Sequence, residues 1–269
     1  MKRFVFPLIA LALVLSPSAF AQLATANDNG ITYGHVHLNV SDPELHTRLW
    51  VEHFNAEVVQ RGPLTALKFP NMIILLRENT PTLPSRETVM DHFGFKVRNL
   101  EKFLAKWRAA GFEHGDIFLG SEGQNNAYVT MPDGVYVEMQ EDQALHEEIT
   151  GYHLHYRTEG FEELLDWYVN AFDLEIRPRG RSVLASTNVP GMNLSFGGSQ
   201  TPRAATQGTA IDHIGFEVAD LENFVRKLES KGISLDSPVR EIEAIGLKIA
   251  FLTDPRGVYI ELTEGLDDY

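Results

Sequence analysis

The chain contains no cysteine among its 269 residues, which excludes disulfides and thiolate chemistry and leaves histidine, carboxylate and amide groups as metal ligands. Positive charge is also scarce. Lys and Arg number 23 against 37 Asp and Glu, giving a net charge of −14 with no basic stripe. Nucleic acid and anionic membranes are bound by neutralising phosphates, so neither is an expected partner. The long apolar run is confined to Phe4 to Leu15, shorter than the ~20 residues that cross a bilayer as a helix. Lys2 and Arg3 precede it and Ser18-Ala19-Phe20-Ala21 follows, which predicts a cleavable secretory signal peptide over residues 1–21 and a periplasmic or secreted product. Its removal makes the net charge more negative by two. The remainder is long enough for one or two packed domains.

Repetition is what the sequence does have. Four segments open alike: Tyr33-Gly-His-Val-His-Leu-Asn-Val40, Met90-Asp-His-Phe-Gly-Phe-Lys-Val97, Gly151-Tyr-His-Leu-His-Tyr-Arg-Thr158 and Ile211-Asp-His-Ile-Gly-Phe-Glu-Val218. Each places a histidine at the third position of an alternating strand. An amphipathic helical pattern follows each, over Pro43 to Asn55, Leu100 to Ala110, Phe161 to Phe172 and Leu221 to Ser230. Short strand-like runs close each unit, as in Ile233 to Arg240, Leu247 to Leu252 and Val258 to Leu262. Turn-rich or polar joints at Asn79 to Val89, Gln140 to Glu148 and Gly198 to Thr209 separate units of about sixty residues, at 33–78, 90–140, 150–198 and 210–264.

Units one and three share His-x-His; units two and four share Asp-His-x-Gly-Phe and a closing Pro-x-Gly-Val-Tyr-x-Glu. His35, His92 and Glu138 thus match His153, His213 and Glu261 at a nearly constant offset, the mark of a duplicated pair. The expected fold is α+β: four βαβββ modules paired into two cup-shaped mixed-sheet domains with helices outside, at residues 30–140 and 149–264.

Strand parity places the motif side chains, because successive residues point to opposite faces of a sheet. In unit four, Ile214, Phe216 and Val218 form the apolar face that a helix covers, with His213, Gly215 and Glu217 opposite. In the last strand Val258, Ile260 and Leu262 face the helix, and Tyr259 and Glu261 face away. Unit two behaves identically, with His92, Tyr136 and Glu138 away from the helix. His35 and His37, like His153 and His155, share that same face. A curved sheet made of two units therefore gathers two histidines and one glutamate on its concave side, a donor set suited to a divalent cation.

The segment Asp212 to Val218, the Ala-Asp-Leu-Glu helix start after it, and Asp254-Pro-Arg-Gly-Val-Tyr-Ile-Glu261 resemble the vicinal oxygen chelate superfamily. That superfamily includes glyoxalase I, extradiol dioxygenases, fosfomycin-resistance and bleomycin-binding proteins and methylmalonyl-CoA epimerase. The resemblance covers nearly everything from Tyr33 to Leu262. It implies metal ligands on the first and last strands of each unit, here His35, His92 and Glu138 in the first half and His153, His213 and Glu261 in the second. Each trio, lying in adjacent units, is expected to converge on its own. The place of a fourth ligand is held by Leu75 in the first half and Ser195 in the second. Glyoxalase-like and epimerase-like sites normally use four protein ligands, and their substrates are thiol-linked and cytosolic, so both features count against them. Two histidines and a carboxylate leave adjacent positions for a bidentate oxygen substrate or dioxygen.

Extradiol dioxygenases resemble one another further in an additional histidine beside the ligands and in a tyrosine ten residues before the glutamate ligand. Tyr128 stands there in the first half and Phe251 in the second. No histidine lies between Phe54 and Asp91, or between Leu165 and Asp212. His37 and His155, each two residues beyond a presumed ligand, are then the nearest candidates for acid–base work, with pocket lining as the alternative. The expected function is a divalent-metal-dependent enzyme acting on a small oxygen-chelating substrate. It would use Fe2+ or Mn2+ as a ring-cleaving dioxygenase, or Zn2+, Ni2+ or Mn2+ as a glyoxalase-like lyase or isomerase. A non-catalytic protein that sequesters small molecules is the competing reading, and a homo-oligomer stays open.

Overall fold

The structure, a computed structural model, describes residues 23–266 except residue 63 and residues 181–183. The expected signal peptide lies outside the described residues. Unit one comprises β1 (Ile31–Val40), α1 (Pro43–Phe54), β2 (Glu57–Arg61), β3 (Leu64–Phe69) and β4 (Met72–Glu78). Unit two comprises β5 (Met90–Val97), α2 (Leu100–Ala109), β6 (Phe118–Leu119), β7 (Asn125–Thr130) and β8 (Tyr136–Glu141). Unit three has β9 (Ile149–Thr158), α3 (Phe161–Phe172), β10 (Ser186–Val189) and β11 (Met192–Gly198). Where its second strand is expected, the single residue Ile176 bridges to Thr187. Unit four has β12 (Ile211–Val218), α4 (Leu221–Ser230), β13 (Ser237–Ile242), β14 (Leu247–Thr253) and β15 (Tyr259–Glu264). None of the described helices is long and apolar enough to cross a membrane.

The helices start where local chemistry dictates. Asp42 accepts a bond from the Leu45 amide at 2.9 Å ahead of Pro43, and Asn99 and Asp220 cap α2 and α4 in the same way. Gly160 precedes α3 at φ 64° without a side-chain cap, and Glu162 and Glu163 set negative charge against that helix's first turn instead.

The strands form two mixed sheets, ordered β13-β14-β15-β12-β1-β4-β3-β2 and β10-β11-β9-β5-β8-β7-β6. At the centre of the first, β1 of unit one runs antiparallel to β12 of unit four. At the centre of the second, β5 of unit two runs antiparallel to β9 of unit three. The cups therefore join units one with four and two with three, which corrects the expectation that consecutive units 30–140 and 149–264 each close a cup. The joint after β8 keeps units two and three in one sheet. The joints before β5 and before β12 cross between sheets and satisfy each other's backbones: Thr82 N donates to Gly208 O and Ala210 N to Leu83 O, both at 3.0 Å, and Val89 N donates to Ala204 O at 2.9 Å.

Consecutive units meet instead through their helix-bearing faces. Trp50 of α1, fully buried, lies 6.3 Å from Phe69 in one sheet and 6.0 Å from Phe93 in the other. His53 and Phe54 of α1 pack on Trp107 of α2, and Phe172 of α3 packs on Phe216 and on Phe224 of α4. One continuous core thus joins the convex sides of both sheets to the four helices. A smaller apolar cluster, including Ile73, Leu75, Leu247 and Ile249, lines the inside of the first cup.

Asp254 anchors the turn into β15. Its Oδ1 accepts from the Arg256 and Val258 amides at 2.8 and 2.9 Å, and Oδ2 accepts from the Tyr168 hydroxyl at 3.1 Å. Burial raises its carboxyl from 3.8 to about 6, against those bonds. A raised carboxyl favours the folded state while protonated, so its contribution is complete below about pH 4 and is lost as pH rises through about 6, a swing on the order of 3 kcal/mol. Asp254→Asn is expected to remove that swing. Urea unfolding of both proteins at pH 4.5 and 7 checks it: the stability difference between them should change with pH, and a constant difference would refute the assignment.

Candidate metal centres

Register fixes the first site. Across β1 and β12, His35 stands opposite Gly215 and His37 opposite His213, while the parallel pair β12 and β15 sets Glu261 beside Gly215. A Cβ on Gly215 would collide with the His35 ring, so the glycine is the vacancy that lets the imidazole lie across the sheet. Glu261 Oε2 is 2.9 Å from His35 Nε2 and 3.1 Å from His213 Nε2. His213 Nδ1 bonds Asp212 Oδ1 at 2.6 Å. The His37 ring is 4.5 Å from that of His213, and both its nitrogens are buried without a partner.

The second site repeats this construction. His92 faces His155 across β5 and β9, His153 faces Gly94, and Glu138 lies beside Gly94 on β8. A Cβ on Gly94 would strike the His153 ring. Glu138 Oε2 is 2.9 Å from His92 Nε2 and 3.2 Å from His153 Nε2, and His92 Nδ1 bonds Asp91 Oδ1 at 2.7 Å. Asn126 donates to Glu138 Oε1, and the Tyr128 hydroxyl donates to Oε2 at 3.3 Å. At the matching register positions the first site has Ile249 and Phe251, with Phe251 against the His213 ring.

Burial opposes charge on Glu261, yet the bonds from His213 and His35 outweigh it and hold the carboxyl below the usual range. Glu138 is held well below that range too, burial being outweighed by His153 and His92. Burial pushes His213 and His92 down, but each is raised overall by its aspartate and glutamate bonds. Burial lowers His35 despite Glu261, and lowers His153 to about 4. His37 and His155 lie well below the ordinary histidine value, through burial and their histidine neighbours, and are neutral at neutral pH. Burial and Glu138 raise Tyr128, which keeps its phenol protonated.

Residues 152–262 match the family model described as Glyoxalase/Bleomycin resistance protein/Dioxygenase superfamily. Glyoxalase I from Zea mays superposes with a TM-score of 0.70 at 16% identity, covering 88% of this chain and 94% of that one. A putative dioxygenase from Bacillus subtilis gives 0.67 at 11% identity, covering 91% and 86%. No curated protein sequence matches. Over residues 152–262 the chain is similar to that superfamily, and its whole fold is similar to that of both solved structures.

Inside the two cups, the clusters fit a divalent cation on donor chemistry and spacing. In each, the carboxylate oxygen lies 2.9 to 3.2 Å from both histidine Nε2 atoms, the separation of neighbouring ligands on a cation with bonds near 2 Å, and all the donors of a cluster lie within 4.8 Å of one another. The aspartate bond on Nδ1 of His213 and of His92 leaves Nε2 as the outward nitrogen, the arrangement that orients an imidazole ligand.

All six histidine and glutamate positions proposed as ligands lie in these clusters, but the grouping differs from expectation. His35 converges with His213 and Glu261, and His153 with His92 and Glu138. The expected trios His35-His92-Glu138 and His153-His213-Glu261 do not form, because β1 finds its sheet partner in unit four. His37 and His155 join their respective clusters, with one donor atom of each within 4.8 Å of the other donors. Tyr128 stands at Glu138. Leu75 is buried in the first cup and Ser195 in the second sheet, so neither place supplies a fourth carboxylate.

Sequence reasoning missed the roles of Asp91, Asp212, Gly94 and Gly215. The shared Asp-His-x-Gly was their signal: the aspartate orients the histidine, and the glycine makes room for a histidine from the other unit. Gly215→Ala is therefore expected to expel the His35 ring and cost one bound metal while the second centre keeps its own, with Gly94→Ala acting reciprocally. Metal content by mass spectrometry, alongside a circular dichroism check of folding, tests this; full metal content in a folded Gly215→Ala protein would contradict it.

Proposed function

We propose that the chain is a divalent-metal-dependent enzyme that binds a small molecule through two neighbouring oxygens, with His35, His213 and Glu261 holding the cation and His37 carrying a proton. The supporting observation is that one His-His-carboxylate set occurs twice, each time beside a further neutral histidine, His37 or His155. A divalent cation supplies a Lewis acid that stabilises negative charge on a ligated oxygen. His37, neutral and without a partner for either ring nitrogen, is free to accept a proton from a substrate carbon or hydroxyl and return it. Phe251 and Tyr259 stack on each other and pack against His213, limiting water on that side.

Proton transfer of the lyase or isomerase kind is the reading this favours, because His37 is a base held ready beside the cluster. A ring-cleaving dioxygenase is the second reading, supported by a three-residue set that leaves adjacent coordination places for other oxygens. His155 takes the part of His37 at the other centre, and Tyr128 hydrogen-bonds its carboxylate. An exported location belongs to the same proposal and rests on the basic start and apolar run of residues 1–21.

Protein purified without an affinity tag is expected to carry a stoichiometric divalent metal. His37→Ala should keep that metal and slow turnover about 10²- to 10⁴-fold. Oxygen uptake on catechols, set beside a screen of hydroxycarbonyl compounds for isomerisation, separates the two reactions. Metal loss in His37→Ala would make it a ligand. Tight binding without turnover would assign the chain to sequestration.

A further inference from the structure

The cluster of His35, His213 and Glu261 opens into a cavity of about 260 Å³. That is below the roughly 300–1,000 Å³ typical of sites for drug-sized ligands, so its occupant is small. Leu64, Leu75, Ile242, Leu247, Ile249 and Phe251 line it, an apolar wall that recovers free energy only against an apolar body. Two guanidiniums complete the lining, Arg77 and Arg240. Arg77 lies two residues beyond Leu75 on β4, on the same cup face, and its charge reaches His37. Arg240 lies on β13, with four strands between β13 and β4 in the sheet order. Only the curl of the sheet brings these two arginines to one cavity.

Both arginines are exposed at the margin of the cavity, and neither has a hydrogen-bond or ion-pair partner among the described residues. Two other cations do meet acids. Lys248 bonds both Glu222 and Glu264, and Arg179, beside the second cluster, lies 4.0 Å from Glu122. A neutral apolar ligand would leave both guanidiniums to water and gain nothing from them, an anionic end at the margin would meet both, and a polar peptide-like ligand would leave its amides unpaired against the aliphatic wall. We infer that this cavity takes a small carboxylic acid with an apolar body, its carboxylate held by Arg77 and Arg240 while its chelating oxygens face His35, His213 and Glu261. The position of the chelating oxygens rests on the metal-centre reading above; the choice of an anion rests on the arginines alone. Guanidinium and carboxylate match as planar forks, which gives orientation as well as attraction.

The test is calorimetric titration of the metal-loaded protein with 3,4-dihydroxyphenylacetate and with its methyl ester, which share the ring and the vicinal oxygens and differ in the charge. The acid is expected to bind about tenfold or more tightly than the ester. Arg77→Met and Arg240→Met should each reduce that ratio, and together abolish it, with metal content and ester affinity unchanged. Arg77→Lys should retain part of it. Equal affinities in the unaltered protein, no binding of either compound, or an undiminished preference in the double variant would overturn the inference while bound metal upholds the centre. A protein without metal refutes the centre, and the acid-over-ester ratio measured on it still reports on the arginine pair.

Discussion

The antiparallel seam between two opening strands governs both centres. Where β1 lies on β12, a histidine of one unit faces a glycine of the other, and the glutamate on the adjoining parallel strand completes the triangle. Period-two geometry makes this register unforgiving, since a slip of one residue would turn His35 into the core and Val36 into the cup. The apolar partners enforce it: Val36, Ile214 and Phe216 are fully buried on the helix side, so the histidines can face only inward. The site is thus a by-product of core burial, and the cost of gathering buried histidines around a carboxylate is met by the hydrophobic face behind them.

The same seam operates twice with different surroundings, and those differences separate the two centres chemically. Beside Glu138 stand Asn126 and Tyr128, both donors to its carboxylate, so charge there is stabilised by fixed dipoles. Beside Glu261 stand Ile249 and Phe251, and the space around it is apolar up to the arginines at its margin. Duplication supplied two copies of one ligand frame, while the strands flanking it set one polar and one apolar neighbourhood.

Much of this was legible from residue order. The four helices fall within a residue or so of their expected limits, because Pro43, Asn99 and Asp220 mark their starts and amphipathic spacing marks their length. Inward-facing His35, His92, His153, His213, Glu138 and Glu261 followed from strand parity alone. Pairing between units did not, because the joints at 79–89, 140–148 and 198–209 carry similar turn chemistry and no local signal says which of them crosses between sheets. That choice is made by long-range packing, where Trp50 and Phe172 bind consecutive units through their convex faces and leave each cup to find a partner elsewhere. The strand expected to begin at Ile233 starts at Ser237, after the turn that closes α4, and β15 runs on to Glu264.

Metal stoichiometry in paired variants tests the cross-unit arrangement most directly. His35→Ala combined with Glu261→Ala removes two ligands of one centre, whereas His35→Ala combined with Glu138→Ala removes one from each. The first pair is expected to retain the metal of the untouched centre and the second pair to lose both. Retention of one full metal equivalent by the His35→Ala, Glu138→Ala protein, with both lost from the His35→Ala, Glu261→Ala protein, would mean that consecutive units share each site and would contradict the structure presented.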